Sequence, residues 1–227
     1  MAGSFIAVPI LISFGLSVIL GPLIIPLIKS LKVGQTVRED GPSTHLKKSG
    51  TPTMGGILIM ISVAVTSILY AGEYPQIVPI LFLTLGFGLI GLLDDYLKVV
   101  LRRSMGLRAW QKMLLQLIVT GIFTYYLYHA KGVSLVMKIP FLNGYFLNMG
   151  KLTMPFLFVV VIGTVNGTNF TDGLDGLVSS VTIMVSTFFT VAAIGTGVEI
   201  APITCAVTGA LLGFLLFNVH PASVFMG

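Results

Sequence analysis

The sequence is short of charge. Only 9% of its 227 residues are Asp, Glu, Lys or Arg, whereas 55% are hydrophobic. A soluble domain carries roughly 25% charged residues, so this chain cannot cover a folded surface against water. With a mean hydropathy of +1.00, the bilayer must serve as its solvent. Cysteine is almost missing as well. The single Cys205 excludes an intramolecular disulfide, and with only three scattered histidines it excludes a thiolate–imidazole metal cluster. It reads as a small buried hydrophobe. No G-x-x-x-x-G-K-[ST] run occurs, which removes the P-loop as a phosphate-binding device. There is no convincing internal repeat of the kind that builds many transporters, and the apolar N-terminal run lacks the basic flank of a cleavable signal.

What the sequence does have is long apolar runs. A spanning helix needs about 20 mostly apolar residues, and seven runs approach that length: 5–28, 54–71, 77–93, 113–129, 152–165, 177–195 and 200–219. The fold class is therefore an all-α polytopic membrane protein, one integral membrane domain over 1–227 with about seven transmembrane helices. Pro9, Pro22 and Pro26 are expected to kink the first run. The short fifth run borders a polar, glycine-containing stretch, which predicts irregular backbone there. Between the fourth and fifth runs, 134–150 alternates weakly around Asn143-Gly144, a turn dipeptide that predicts a small outer β-hairpin.

Seven spans put the loops 29–53, 94–112, 166–176 and 218–227 on one side. Ten of the thirteen basic residues fall there, and only Lys131, Lys138 and Lys151 fall on the other. The positive-inside rule makes the first side cytoplasmic and the N-terminus external. The net charge of +5 thus reads as an orientation signal, with no nucleic-acid partner needed. Asp94, Asp95, Asp172 and Asp175 all fall on the inner side.

Three inner segments carry chemistry. Asp94-Asp95-Tyr96-Leu97-Lys98 closes the third run. Two adjacent carboxylates repel and call for a cation or a lysine, so Asp94 and Asp95 are candidates for a divalent metal, for a general base, or for both. If the helix continues, Asp94 and Lys98 lie one turn apart and can pair. In V-N-G-T-N-F-T-D-G-L-D-G-L, Asn166, Asn169, Asp172 and Asp175 recur every three residues. They share a face if helical, and in a looser loop the glycines, Gly173 among them, let backbone approach a ligand closely. The third segment, 38–56, ends in K-S-G-T-P-T-M-G-G. Its glycines, with Lys48, Thr51 and Thr53, could hold a phosphate at a helix N-terminus. Lys112 opens the fourth run and reads first as a snorkelling lysine, while His220 reads as a hydrogen-bonded structural histidine. Phe225 is the nearest aromatic for stacking on a base.

Together, D-D-Y-L-K, N-x-x-N-F-T-D-G-L-D-G-L, G-P-S-T-H-L-K-K-S-G-T-P-T-M-G-G and the closing H-P-A-S-V-F-M-G resemble the phospho-N-acetylmuramoyl-pentapeptide transferases. These are a branch of the polyprenyl-phosphate N-acetylhexosamine-1-phosphate transferases, and the resemblance runs over essentially the whole chain. It implies transfer of phospho-MurNAc-pentapeptide from UDP-MurNAc-pentapeptide to undecaprenyl phosphate, giving lipid I and UMP, with Mg²⁺ as cofactor. It implies a homodimer in the bacterial inner membrane, with the site on the cytoplasmic face. Carried across by motif, Asp94 positions or deprotonates the lipid phosphate and Asp95 supports metal or charge balance. Asn166, Asn169, Asp172, Gly173 and Asp175 line the nucleotide–diphosphate pocket. Lys48, Thr53 and Lys112 meet phosphate or uridine, and Asn218 and Phe225 complete the uridine pocket. The family continues past the position of Gly227 with Asp-Thr-Gly-Ser, which holds its main magnesium ligand, and has about ten spans. The 227 residues thus resemble its N-terminal part and are not expected to be active alone. A sister transferase moving N-acetylglucosamine phosphate is the nearest rival. A transporter is the remote one, and it predicts acids within the spans rather than at one face.

Overall fold

A computed structural model describes residues 2–30, 51–101, 106–130, 134–139, 142 and 144–227. Lys48, most of the 29–53 loop, and Asn143 of the turn lie outside the described residues. Among the described residues, seven α-helices occupy the seven apolar runs: α1 (Ala2–Ser30), α2 (Gly56–Tyr70), α3 (Ile77–Val99), α4 (Ala109–His129), α5 (Thr153–Thr171), α6 (Leu177–Thr196) and α7 (Ala201–Asn218). Five of them, all but α2 and α4, are long and apolar enough to cross a membrane. α2 has 15 residues, about 22 Å at ~1.5 Å per residue, which is shorter than the ~30 Å hydrocarbon core. α4 has the length, but Gln111, Lys112 and Gln116 dilute its apolar character. α1 continues unbroken as a helix past Pro9, Pro22 and Pro26.

Helix α7 is the centre of the molecule. Of its positions 67% are buried, against 28% or fewer in the other four long apolar helices. Its close approach to α1 rests on Gly209 and Gly213, a G-x-x-x-G pair of the kind that lets membrane helices touch backbone to backbone. A Cβ at Gly209 would collide with the Ile10 carbonyl, and one at Gly213 would sit 2.9 Å from the Phe14 carbonyl. The Ser13 hydroxyl adds a bond to the Ala206 carbonyl at 2.7 Å. On its other flank α7 meets α6 through paired hydroxyls, Ser186 with Thr208 at 2.8 Å and Thr190 with Thr204 at 2.7 Å. Leu58, Phe214 and Val224 form a fully buried cluster that joins α2, α7 and the segment after α7. Outward faces are apolar, as lipid requires: Leu11, Ile19, Leu23, Val159, Met184 and Phe188 are all exposed.

Two expectations change. The outer hairpin exists in reduced form: β1 (Met137–Lys138) pairs antiparallel with β2 (Phe146–Leu147), Met137 opposite Leu147. The fifth run is not irregular. α5 continues as regular helix to Thr171, six residues past the predicted end. Its polar side chains bond back onto their own helix: Asn166 Nδ2 to the Ile162 carbonyl (2.9 Å), Thr168 to Thr164 (2.8 Å) and Thr171 to Gly167 (3.0 Å). Hydroxyls and amides satisfied this way can sit in an apolar helix without breaking it. The 166–176 loop therefore shrinks to 172–176.

Candidate active site

The third helix passes through the paired aspartates and ends only at Val99, so Asp94 and Lys98 stack one turn apart and their charged atoms meet at 2.6 Å. Asp94 is 6% exposed. Its second carboxylate oxygen accepts the Leu107 N–H at 2.8 Å. Gly106, at φ +57, makes that approach possible, because a Cβ there would press on Asp94 and Lys98. Both oxygens of Asp94 are thus engaged, one within α3 and the other in tying the segment before α4 to the end of α3. Asp95 points elsewhere, into a cavity, and feels the charges of Lys98, Asp94, Lys112 and Asp172.

On the opposite wall α5 ends at Asp172, and Gly173 donates back to the Thr171 carbonyl at 2.8 Å. Gly176 adopts the left-handed conformation (φ 75) that starts α6. Asn218, at the end of α7, holds this turn. Its Oδ1 accepts the Gly176 N–H and the Ser179 hydroxyl, both at 3.1 Å, and its Nδ2 donates to the Val224 carbonyl at 3.0 Å. The Asn218 amide is 3% exposed and joins three chain segments. Asp175 Oδ2 meets His220 Nδ1 at 2.9 Å, which gives His220 the structural bond expected of it.

The T-P-T-M-G-G segment behaves differently from the sequence expectation. The Gly55 and Gly56 N–H groups do not face an open phosphate site. They donate to the Phe225 and Met226 carbonyls at 2.9 and 2.8 Å, while the Phe225 N–H donates to the Pro52 carbonyl at 2.8 Å. The two stretches run together as a short backbone ladder. A Cβ at Gly55 would lie 2.7 Å from both the Phe225 carbonyl and the Phe214 ring, so a side chain there would force the strands apart. The glycine pair seats the 224–226 segment, and the next two N–H groups, of Ile57 and Leu58, turn back to the Met54 and Gly55 carbonyls. Thr53 is the exception in this stretch. Its hydroxyl is buried without a hydrogen-bonding partner and the residue borders the cavity.

The cavity, about 300 Å³, is lined by Thr53, Asp95, Lys98, Val99, Asn169, Asp172, Gly173, Leu174, Asp175, Asn218, Phe225 and Gly227. Its volume lies at the lower end for small-molecule sites. Eight of the sequence-predicted residues meet there: Thr53, Asp95, Asn169, Asp172, Gly173, Asp175, Asn218 and Phe225. Asp94 stands behind the wall with Lys98. Lys112 acts on Asp95 only through its charge, and Asn166 turns away to pair with Gln116. Sequence reasoning did not place Lys98, Val99, Leu174 and Gly227 in the site. The helical spacing of Lys98 from Asp94 signalled the first, and nothing in the sequence signalled the other three. No group of three or more His, Cys, Asp or Glu close enough to hold a metal occurs among the described residues.

A family model described as glycosyl transferase family 4 matches residues 77–227, and a phospho-N-acetylmuramoyl-pentapeptide-transferase signature matches 48–60. Relatives bearing the latter name are 48% identical in Acetivibrio thermocellus, 46% in Clostridium botulinum strain Alaska E43 and 43% in Clostridioides difficile. Each alignment covers 96% of this chain, and respectively 66%, 67% and 68% of the relative. The chain belongs to the phospho-N-acetylmuramoyl-pentapeptide-transferase family. It spans about two thirds of the length of these relatives. For this family member the apolar helices give a multi-pass membrane protein. The signature lies over the Thr53–Gly56 stretch that bonds to the 224–226 segment, so in this transferase-family chain the motif closes one wall of the cavity.

Proposed function

We propose that the full-length protein transfers phospho-MurNAc-pentapeptide from UDP-MurNAc-pentapeptide to undecaprenyl phosphate, releasing UMP and forming lipid I. The observation that carries this reading is the convergence of Asp95, Lys98, Asn169, Asp172, Asp175 and Phe225 on one cavity where α3, α5 and α7 end. A lipid phosphate and a soluble nucleotide can meet only at such a helix-end level. One pyrophosphate linkage replaces another, so positioning and charge neutralisation carry most of the catalysis.

The residues divide the work by chemistry. The Lys98 ammonium, shared with Asp94, offsets phosphate charge. The unpartnered Thr53 hydroxyl offers a donor to a phosphate or sugar oxygen, and the Phe225 ring offers a face for the uracil. Asp95 is the carboxylate placed to take the proton of the incoming lipid phosphate or to orient it. Mg²⁺ fits this donor set. It is usually held by one or two carboxylates plus substrate phosphates and water, and Asp95 and Asp172 offer hard oxygens to one cavity. It would neutralise charge on the diphosphate. Asp94, with both oxygens engaged, is the poorer ligand of the pair.

The inner-side lysines and arginines support a cytoplasmic site with the N-terminus outside. The resemblance supports a homodimer, which cross-linking in membranes would report as a doubled mass. Full-length protein in detergent, given UDP-MurNAc-pentapeptide, a polyprenyl phosphate and Mg²⁺, should release UMP and form a pyrophosphoryl lipid. The isolated 227 residues should form none. Asp95→Asn should lower kcat by at least about 10²-fold. Preference for UDP-N-acetylglucosamine as donor would move the assignment to the sister enzymes, and no UMP release from either donor would refute it.

A further inference from the structure

One pair of amides lies beneath the cavity and is not used by the chemistry above. Asn166 of α5 donates from Nδ2 to Gln116 Oε1 of α4 at 2.9 Å, and Gln116 Nε2 returns a longer bond to Asn166 Oδ1 at 3.4 Å. Asn166 Nδ2 also donates to the Ile162 carbonyl at 2.9 Å. Both N–H groups of Asn166 and its oxygen are therefore occupied within the protein. Gln116 is 2% exposed. An amide without a partner in apolar surroundings costs several kcal/mol by transfer scales, so neither residue can release the other cheaply to greet a substrate.

The pair's position gives it a consequence for the site. Lys112 lies four residues before Gln116 and therefore one turn nearer the cavity end of α4, on the same face. Asn169 follows Asn166 by three residues on α5, and Asp172 closes that helix. α4 is also a peripheral helix: Leu114, Leu117, Ile118, Ile122 and Tyr125 are exposed along it. Where it meets α5, a Cβ at Gly121 would lie in ordinary van der Waals contact, 3.7 Å from the Phe158 ring, a contact without direction. Among the described residues, the reciprocal amides are the side-chain hydrogen bonds that join the two helices.

We propose that Gln116 and Asn166 form an intramembrane clasp that fixes Lys112 opposite the Asn169–Asp172 end of α5. Asn166 then acts as a positioning residue, not as the substrate ligand that its motif spacing implied. The inference rests on reading the cavity as the transferase site. The test is a double-mutant cycle in full-length protein with Gln116→Leu, Asn166→Leu and the double variant, together with the exchanged pair Gln116→Asn/Asn166→Gln. Each single change should lower kcat about tenfold, as small misplacements of catalytic groups do, with KM for the nucleotide donor within about twofold. The double variant should be no worse than either single, and the exchanged pair should recover most of the loss. A rise in donor KM of about tenfold or more in Asn166→Leu alone, or additive losses in the double variant, overturns the clasp. If the leucine variants do not fold, the exchanged pair decides: near-wild-type kcat supports the proposal and loss of kcat refutes it. Should the wild type release no UMP, the transferase reading fails separately. The same cycle read by thermal unfolding then decides the clasp, with coupled losses supporting it and additive losses overturning it.

Discussion

Thr53 and Gly55 are two positions apart in one motif, yet their side chains answer to different demands. The Thr53 hydroxyl is buried beside the cavity with no partner, so it contributes nothing to folding that a methyl group would not. Thr53→Val should leave thermal stability equal or raise it by up to about 1 kcal/mol, while weakening nucleotide binding measured by calorimetry. A loss of stability with unchanged binding would contradict this. Gly55 has the reverse role. Its missing side chain is what lets the Phe225 carbonyl approach, so Gly55→Val should cost about 2 kcal/mol or more and abolish activity by displacing Phe225. The sequence made these residues visible as a motif but could not separate their roles. A glycine beside a turn reads equally well as a phosphate cradle or as room for a neighbouring strand, and only the partner 170 positions away distinguishes them. Asp94 and Asp95 pose the same difficulty. Their adjacency was plain, but which of them turned to the cavity depended on where Leu107 would lie.

At the scale of the helices, apolar runs marked all seven elements, because a span must be apolar whatever it packs against. Their ends were less legible. α3 and α5 each run six residues beyond the apolar run, since an interfacial helix can carry Asp-Asp or Asn-x-x-Asn once Asp94 and Asn166 bond to their own helix or to a neighbour and Asp95 and Asn169 border the cavity. The packing was not legible either. Gly209 and Gly213 were lost among 26 glycines until α1 was seen against them. Gly209→Leu should therefore separate α7 from α1, lowering the unfolding temperature in detergent sharply, whereas the same change at Gly195, where a side chain meets open space, should shift it little. Equal shifts at the two sites would refute this packing account.

For the molecule as a whole, the asymmetry of basic residues and the convergence of three motifs at one end of the bundle are two readings of one orientation. Cysteine labelling can test them. Cys205 is fully buried and should stay silent to a membrane-impermeant maleimide. Ser134→Cys, beside the small hairpin, should react in intact cells, and Leu101→Cys, at the cavity end of α3, only after permeabilisation. The opposite pattern would invert the topology. Charge placement is a whole-chain property that needs no contacts to read, which is why the sequence alone supplies the orientation that this labelling tests.

The ladder between residues 52–56 and 224–226, with the bond from Ser13 to Ala206 across 193 positions, also has a meaning in time. A ribosome delivers α1 and α2 to the membrane long before α7 exists, and until then the Gly209–Gly213 face that α1 packs against and the acceptors of the Gly55 and Gly56 amides have not been made. The first two helices must wait, provisionally solvated by lipid and water, for the last of the seven to arrive between them. Assembly of this site thus waits on the synthesis of α7. A nascent chain arrested after α6 should be far more sensitive to membrane proteases than one arrested after Gly227, and pulse-labelled intermediates of the two lengths would show whether the wall closes at that moment.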